Sequence, residues 1–286
     1  MGRSLTVEER QEWGLRILKV IDAFCKENNI TYYLSGGTLL GAVRHHGFIP
    51  WDDDMDLMMP RQDYEKFIHT FKNEQFAVAS CTTDPDYFSP YARVYDTKET
   101  RMYRTVFKEK ELGAFVDLFP IDGYPKNKLI KKIHLYRIKA AYALLHVRVR
   151  LKYEPREHYI PLKKFLHLFL RGGENKAAQK VNRLAQKYDY RKTESRGVLD
   201  LNIHLFREEN PKEVYKQTVY LPFEDGMYPA PIGYTTYLTR LYGPRYMELP
   251  PEGKRKTGHT LVVEYKDGYE PIEETIEEPV EESVDI

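Results

Sequence analysis

Apolar residues in the first 30 positions recur with the spacing of an α-helix. The side chains four residues apart are Trp13, Ile17, Ile21 and Cys25. Thr6, followed three residues later by Glu9, forms the capping-box pattern that starts a helix. We therefore predict a first helix that begins after Thr6 and ends near Asn28 and Asn29.

Short strand patterns then alternate with helices up to residue 119. Residues 31–35 are predicted as a strand, Gly36 and Gly37 as a tight turn, and residues 38–45 as a short helix. The segment 54–59 alternates like a strand, and 61–71 carries the apolar stripe of a helix. Further strands are predicted over residues 76–81, 91–95, 102–107 and 114–119.

Beyond Pro125 the pattern becomes helical before strands return. Apolar stripes flanked by basic residues predict helices over residues 128–152, 161–171 and 175–188. Strand-like segments follow at 197–201 and 218–221, and a tyrosine-rich helix is predicted over 234–242, ended by Gly243-Pro244. The whole pattern is that of an α+β protein.

Composition narrows the class of protein. The chain has 286 residues, 42% of them hydrophobic, which suits one globular domain or a domain with a sizeable insertion. Its 2 cysteines are too few for a disulfide scaffold or a multi-cysteine zinc site. The N-terminal sequence resembles no signal peptide, and no apolar run is long enough to span a bilayer. We expect a cytoplasmic protein.

Charge is unevenly distributed although the net charge is only +1. Residues 126–192 hold about 19 Lys and Arg against about 4 Asp and Glu. This segment is either a solvated helical cover or a surface for an anionic acceptor or membrane headgroups at the inner leaflet. The apolar stripes that favour membrane docking are Ile130, Ile133, Leu135, Ile138, Leu162, Phe165, Leu166, Phe169 and Leu170. No nucleic-acid motif accompanies the charge, so a nucleic-acid partner is not expected.

The last residues have the opposite charge. From 270 to 286 there are about 8 acidic residues and no basic one, a composition that favours a disordered tail. The alternative is a helix that docks on the basic segment through apolar residues four apart, but Pro279 argues against it.

Four carboxylates crowd the start of the second strand pattern. Asp52, Asp54 and Asp56 are predicted to project to one face, with Asp53 on the other. Their charges would repel unless a hard divalent cation bound them, and Mg²⁺ or Mn²⁺ is expected. Taken alone, the run is more typical of a charged loop that caps a strand, and nothing in it identifies the metal.

A second acidic position strengthens the metal hypothesis. Asp117 lies in an apolar strand pattern, where an unpaired carboxylate is costly. If the two strands are neighbours, Asp117 joins Asp54 and Asp56 in a cluster of the kind that holds metal ions against phosphate oxygens. Asp122 is expected to cap the following turn instead.

The segment Ser35-Gly36-Gly37-Thr38 supplies the complementary half of such a site. Glycines let the backbone approach a phosphate, and a helix N-terminus presents N–H groups to an anion. At the other end of the short helix, Arg44 is a candidate phosphate ligand, and His45 and His46 are candidates for acid–base chemistry. An equally good interpretation is that their charges satisfy the helix C-terminus.

These motifs resemble a known family. YYLSGGTLLGAVRHHGFIPWDDDMDL at 32–57 is similar to the signature of the LicD family of phosphotransferases with a nucleotidyltransferase fold. FVDLFPIDG at 115–123 resembles its second acidic motif, and YLTRLYGPRYMELPPEGKRKTGH at 237–259 its C-terminal motif. The likeness covers most of residues 5–260.

The resemblance implies a domain organisation. The predicted fold is a nucleotidyltransferase-like mixed sheet with flanking helices and a basic helical insertion. Residues 1–125 are predicted as the catalytic core, 126–192 as the basic helical subdomain, 193–265 as the C-terminal part of the catalytic domain, and 266–286 as the acidic tail.

The resemblance also implies the chemistry. The family transfers an alcohol phosphate, such as phosphocholine, from a CDP-linked donor to a surface glycan or teichoic acid. Asp54, Asp56 and Asp117 then correspond to the metal ligands, Asp52 is a further catalytic carboxylate, and residues 35–38 form the nucleotide-phosphate turn. Further tentative ligands of the donor or acceptor are Arg93, Lys98, Arg255 and His259.

Three functions remain open from the residues. The leading one is phosphocholine transfer from CDP-choline to a glycan or polyprenyl-linked glycan, with release of CMP. The others are a nucleotidyltransferase that uses a nucleoside triphosphate, and a non-catalytic glycan or membrane adaptor. A choline cargo would require an aromatic cage, for which Trp51 is the best single guess, although a core or loop-anchoring role is more typical of such a residue. The tyrosine-rich helix at 234–242 has the same two interpretations.

Overall fold

The structure, a computed structural model, describes residues 3–104, 106–152, 160–170, 172–200, 206–255 and 261–269. Helix α1 spans Val7–Asn28. The Thr6 hydroxyl accepts from the Glu9 N–H at 3.2 Å, and the Glu9 carboxylate accepts from the Thr6 N–H at 2.8 Å. The predicted capping box and first helix are therefore confirmed.

Six short strands and two further helices follow α1 in the first half of the described chain. The strands are β1 (Tyr33–Leu34), β2 (Asp56–Pro60), β3 (Phe76–Ala79), β4 (Ala92–Asp96), β5 (Thr100–Arg104) and β6 (Phe115–Gly123). The helices are α2 (Gly36–His45) and α3 (Arg61–Thr70). All correspond to predicted elements, but Gly36 and Gly37 lie inside the start of α2, with Ser35 as its N-cap, rather than in a separate turn.

In the described part of the second half, three helices are followed by four strands, a last helix and a final strand. The helices are α4 (Lys128–Val149), α5 (Ile160–Phe169), α6 (Glu174–Ala185) and α7 (Tyr234–Tyr242). The strands are β7 (Ser195–Val198), β8 (Asn210–Pro211), β9 (Thr218–Phe223), β10 (Gly226–Pro231) and β11 (Leu261–Tyr265). Strands β8, β10 and β11 are missing from the sequence-based prediction.

A mixed sheet aligns the acidic motifs. Within the described residues its main path runs β1-β2-β6-β4-β3, with β7 beside β6 and β8 beside β7. Strand β2 is parallel to β6, with Asp56 opposite Asp117. Strand β4 is antiparallel on the other side of β6 and places Arg93 opposite Asp117. The predicted adjacency of the two acidic strands is thus confirmed, and the mixed sheet with flanking helices confirms the α+β class.

The helical segment has a hydrophobic core of its own. Its buried residues come chiefly from α4 and α6 and include Leu135, Ile138 and Val181. Of the apolar residues in α4 that were expected to dock on a membrane, Leu135 and Ile138 are buried in this core, whereas Ile130 and Ile133 are exposed. Periodicity had identified the apolar residues but not the face each one occupies.

Asp122 does not cap a turn, so that prediction is wrong. It lies inside β6, fully buried, and its carboxylate accepts from both Nε and Nη2 of Arg61, the former at 2.8 Å. Its cost of burial is offset by this two-point contact with a guanidinium.

None of the helices in the described part of the chain is both long and apolar enough to cross a membrane. The predictions for His259 and for the tail at 270–286 concern positions outside the described residues.

Candidate active site

The start of α2 meets the acidic motif at very short range. Gly36 has a positive φ of 49°, and a Cβ there would lie 2.8 Å from Oδ2 of Asp56. A Cβ at Gly37 would lie 2.7 Å from Oδ2 of Asp52. Both glycines are needed because side chains would collide with these carboxylates, and Gly36 also adopts a backbone conformation that other residues rarely accept.

Backbone and hydroxyl hydrogen bonds fix this contact. The Ser35 N–H donates to the Asp56 carbonyl at 3.0 Å, and the Asp56 N–H donates to the Thr38 hydroxyl at 2.9 Å. Tyr237 of α7 also contacts the start of α2. Its hydroxyl lies 3.2 Å from the Ser35 hydroxyl and accepts from the Gly36 N–H at 3.4 Å. The four residues 35–38 thus hold the helix start against the acidic strand.

The carboxylates repel one another strongly. Burial, followed by the charges of Asp54, Asp117 and Asp52, raises the pKa of Asp56 well above its usual value. A cation among these groups would relieve the repulsion. Within the described ranges, however, no three acidic, histidine or cysteine side chains are close enough together to enclose a metal ion as they stand.

Asp53 has a different partner, in agreement with its predicted opposite orientation. Its buried carboxylate forms an ion pair with Nη1 of Arg10 in α1. This contact anchors the acidic loop to the first helix.

Arg93 is fully buried between two carboxylates. Its Nε donates to Asp117 at 2.6 Å and its Nη1 donates to Glu109 at 2.9 Å. Its Cζ also lies 4.1 Å from the centroid of the Phe115 ring. The structure therefore places Arg93 beside the acidic site, where it orients Asp117; a direct contact with phosphate stays a prediction.

A cavity of about 370 Å³ opens next to these groups. Ser35, Gly36, Asp56 and Asp117 line one end of it. The remaining walls are largely aromatic and aliphatic and come from α4, α7 and the loops around 88–91 and 107–109. A volume of this size holds a small-molecule ligand.

Two lining residues, Glu208 and Tyr242, have raised pKa values, and the sequence analysis missed the first of them. Glu208 is buried, and burial raises its pKa to about 8. Tyr242 ends α7 with 39% of its surface exposed, and desolvation of its hydroxyl, with the charges of Asp56 and Glu208, raises the pKa of its phenol. No motif signalled Glu208, because it stands in a charged stretch that looks solvated in the sequence, whereas Tyr242 lies in the C-terminal motif at 237–259.

Arg44 and His45 lie together at the far end of α2. Arg44 Nε donates to Nε2 of His45 at 2.9 Å, and its Nη1 donates to the Tyr246 carbonyl at 3.2 Å. Burial and the neighbouring Arg44 lower the pKa of His45. The His45 ring packs edge-on against Trp51 at 6.3 Å. Neither Arg44 nor His45 lines the cavity.

The remaining predicted ligands are dispersed. Arg255 lies near the acidic loop, with its Cζ 5.7 Å from the Trp51 ring. Lys98 is exposed in the turn between β4 and β5 and is not brought to the cavity. Trp51 is half-buried against the main core and does not line the cavity, so the structure supports its anchoring role more than a place in a cage there.

Acidic side chains held against a glycine-containing helix start, beside a cavity of small-molecule size, form the candidate active site. A family profile described as "LicD/FKTN/FKRP, nucleotidyltransferase domain" matches residues 29–165. The chain is also 32% identical over 268 residues to the lipopolysaccharide cholinephosphotransferase LicD of Haemophilus influenzae, which covers 90% of this chain and 97% of that protein. The chain belongs to the LicD family and is a LicD-type phosphotransferase.

Two further relatives match shorter regions. An uncharacterized protein of Rickettsia prowazekii is 31% identical over 117 residues, which are 39% of this chain and 40% of that protein. The human ribitol 5-phosphate transferase FKRP is 33% identical over 103 residues, 36% of this chain but 19% of that protein. The resemblance noted in the sequence is thereby confirmed at the level of the family.

Proposed function

We propose that the protein transfers phosphocholine from CDP-choline to a hydroxyl of a cell-surface glycan, a lipopolysaccharide or teichoic acid precursor, and releases CMP. The main support is the meeting of Asp56 and Asp117 with the start of α2 at one end of a cavity. The extensive similarity to a lipopolysaccharide cholinephosphotransferase favours phosphocholine over other alcohol phosphates.

The residues present fit Mg²⁺ or Mn²⁺ in their chemistry. Asp54, Asp56 and Asp117 offer only hard oxygen ligands, and their mutual repulsion favours a bound cation. Their side chains would have to move from their present positions to bring three of them around one ion. A bound ion would neutralise the phosphates of the donor and the charge on the leaving CMP.

The chain's own groups supply the other steps. The acceptor hydroxyl attacks the phosphorus distal to cytidine, the bond from that phosphorus to the bridging oxygen breaks, and CMP leaves with that oxygen. A carboxylate takes the hydroxyl proton. Asp52 and Asp117 are the two candidates for this role, and Asp117 is oriented by the hydrogen bond that it accepts from Arg93 at 2.6 Å. The N–H groups at the start of α2 orient the donor phosphates.

The acceptor side of the proposal involves a membrane surface. The outward face of α4 and the helix α5 carry exposed apolar residues among lysines and arginines. The exposed apolar residues are Leu129, Ile130, Ile133, Tyr136, Leu144, Phe165, Leu168 and Phe169. A basic surface with apolar side chains fits the anionic inner leaflet, where polyprenyl-linked acceptors reside.

A nucleotidyltransferase reaction is the second candidate, since the matching profile is described as a nucleotidyltransferase domain. The two reactions differ in their products. A CDP-alcohol donor releases CMP, whereas a nucleoside triphosphate donor releases pyrophosphate.

Incubation of the protein and Mg²⁺ with CDP-choline, CDP-ribitol, CDP-glycerol or CTP, with and without a lipid-extract acceptor, tests the proposal by phosphorus NMR. We expect acceptor-dependent CMP from CDP-choline. Asp54→Asn should lower the rate at least about 100-fold. Asp86→Asn, an exposed carboxylate in a turn, is the matched control and should leave it unchanged.

Each other outcome has a defined meaning. CMP from CDP-ribitol or CDP-glycerol alone would replace choline by another cargo. Pyrophosphate from CTP would support the nucleotidyltransferase. Equal rates for the wild type and Asp54→Asn would contradict the assignment of the metal ligands.

A further inference from the structure

The cavity beside the acidic site has walls of an unusual combination, aromatic rings and carboxylates. Helix α4 contributes Tyr142 and His146, whose rings lie 4.7 Å apart. Phe107 adds a ring 5.2 Å from that of His146. Helix α7 contributes Tyr237 and Tyr242. Aromatic faces attract cations, and quaternary ammonium groups in particular.

The charges around the cavity are unequally compensated. Of the four carboxylates that line it, Asp117 and Glu109 both accept from Arg93, at 2.6 and 2.9 Å. Asp56 belongs with the proposed metal ligands. Lys108 is the basic residue among the lining residues, and its Nζ donates to Glu174 outside the cavity at 3.0 Å. The fourth carboxylate, Glu208, has no such ion pair among the described residues.

Glu208 is buried with one oxygen unsatisfied. Its side chain accepts from the Val198 N–H. No donor in the described part of the chain reaches its Oε2. Burial raises the pKa of Glu208 to about 8, so without a cation nearby the neutral acid predominates at pH 7, and a cation held beside it would favour the ionised form.

We propose that this cavity binds the quaternary ammonium end of the donor's alcohol, with Glu208 as its counter-charge and Tyr142, Phe107 and Tyr242 as aromatic walls. The proposal rests on the proposed function, since it names the residues that select the cargo. A trimethylammonium group donates no strong hydrogen bond, so it suits rings and a desolvated carboxylate.

The cavity also explains how the cargo and the reacting phosphate fit together. Asp56 and Asp117 line one end, so a phosphate held there leaves the attached alcohol pointing along the cavity. The two-carbon chain of choline would place its ammonium among the rings. Helix α4, the first helix of the basic segment, therefore contributes to donor selection.

A neutral isostere of the donor provides the sharpest test. In CDP-3,3-dimethylbutanol a quaternary carbon replaces the nitrogen, so shape is kept and charge is lost. We expect the wild type to prefer CDP-choline by at least tenfold in kcat/KM. Glu208→Gln should lose most of that preference through a higher KM for CDP-choline, with little change for the neutral donor.

Ring removal tests the walls separately. Tyr142→Leu should weaken CDP-choline and leave the neutral donor largely unaffected, whereas Tyr142→Phe should retain the preference. Trp51→Leu is the comparison, because Trp51 lies outside the cavity. Loss of preference in Trp51→Leu together with its retention in Tyr142→Leu and Glu208→Gln would overturn the proposal.

Direct binding separates failure of this inference from failure of the proposed function. Tetramethylammonium chloride, titrated calorimetrically into the wild type, should bind, and Glu208→Gln should bind at least tenfold more weakly. If no CDP-alcohol is turned over but this difference is found, the cavity assignment stands without the proposed reaction. Turnover of CDP-choline with no difference between the two proteins in binding or in donor preference would overturn it.

Discussion

At the scale of single residues, Gly36 shows how the backbone and the acidic site depend on each other. Gly36 and Gly172 have positive φ values of 49° and 79°. A Cβ added at Gly36 would meet Asp56, whereas a Cβ added at Gly172 would have none of the described atoms within 4 Å. Alanine at either position should cost about 1 to 2 kcal/mol of stability from backbone strain.

The activities of the two variants should differ. Gly36→Ala should also displace the Asp56 carboxylate, and a misplacement of about 1 Å can lower a rate on the order of 100-fold. Gly172→Ala should keep its kcat. Chemical denaturation and steady-state kinetics on both proteins check this, and equal kcat values would show that the approach of Asp56 to Gly36 is irrelevant to catalysis.

Residues differ in how clearly the sequence reveals them. Asp56 and Asp117 were predictable because carboxylates inside apolar strand patterns are anomalous. Glu208 was not, since its neighbours Arg207 and Glu209 make it look like part of a solvated loop. Its burial results from contacts that are distant in sequence, and these only the fold supplies.

At the scale of elements, α4 contains a buried titratable group. His134 is 2% exposed, both of its ring nitrogens lack hydrogen-bond partners within the described residues, and its ring packs edge-on against Tyr188 at 5.0 Å. Burial, with Lys187 and Arg137 nearby, lowers its pKa to about 4. Below about pH 6.5 the unfolded chain takes up a proton that the folded chain refuses.

The helical segment should therefore lose stability in mild acid. Between pH 7 and 4.5 the free energy of unfolding of the wild type should fall relative to that of His134→Leu, on the order of 1 to 2 kcal/mol. Urea denaturation followed by circular dichroism at several pH values measures this difference. His69→Gln, a change at an exposed position of α3, is the control and should parallel the wild type. A difference that does not change with pH would contradict this prediction, because it would show that His134 has the same pKa in the folded and unfolded states.

Element types were easier to predict than their faces. Helix α7 was predicted with its observed bounds because the apolar spacing and Gly243 define it. Strand β8 is two residues long and ends in a proline, and β10 contains two prolines, so neither gives a strand pattern. In α4 apolar residues occur on both sides, and only packing against α6 decides which are buried.

At the scale of the whole molecule, α4 connects the proposed donor cavity with the proposed acceptor surface. Tyr142, Leu145 and Val149 line the cavity. Leu129, Ile133 and Tyr136 are exposed on its other side. If this outer side lies on a membrane, the inner side holds the donor close to the plane where a lipid-linked acceptor resides, so one helix would coordinate both substrates.

The exposed face should bind anionic lipid. In α5 the rings of Phe165 and Phe169 pack 4.9 Å apart and are 58% and 69% exposed. We expect the protein to float with vesicles that contain phosphatidylglycerol, and less with pure phosphatidylcholine vesicles or in high salt, because basic side chains supply part of the attraction. The double change Phe165→Ser and Phe169→Ser should weaken binding about tenfold.

Met227→Ser is the matched control, since Met227 is 54% exposed but lies on β10, away from the basic helices. It should bind vesicles as the wild type does. Flotation assays compare all three proteins. If the double variant binds vesicles as well as Met227→Ser does, a membrane-binding face on α5 is contradicted. Equal binding to neutral and anionic vesicles would instead remove the role of the basic charge. Retained CMP release by the double variant with a soluble glycan acceptor, but not with a lipid-linked one, would show that this face serves access to the acceptor rather than chemistry.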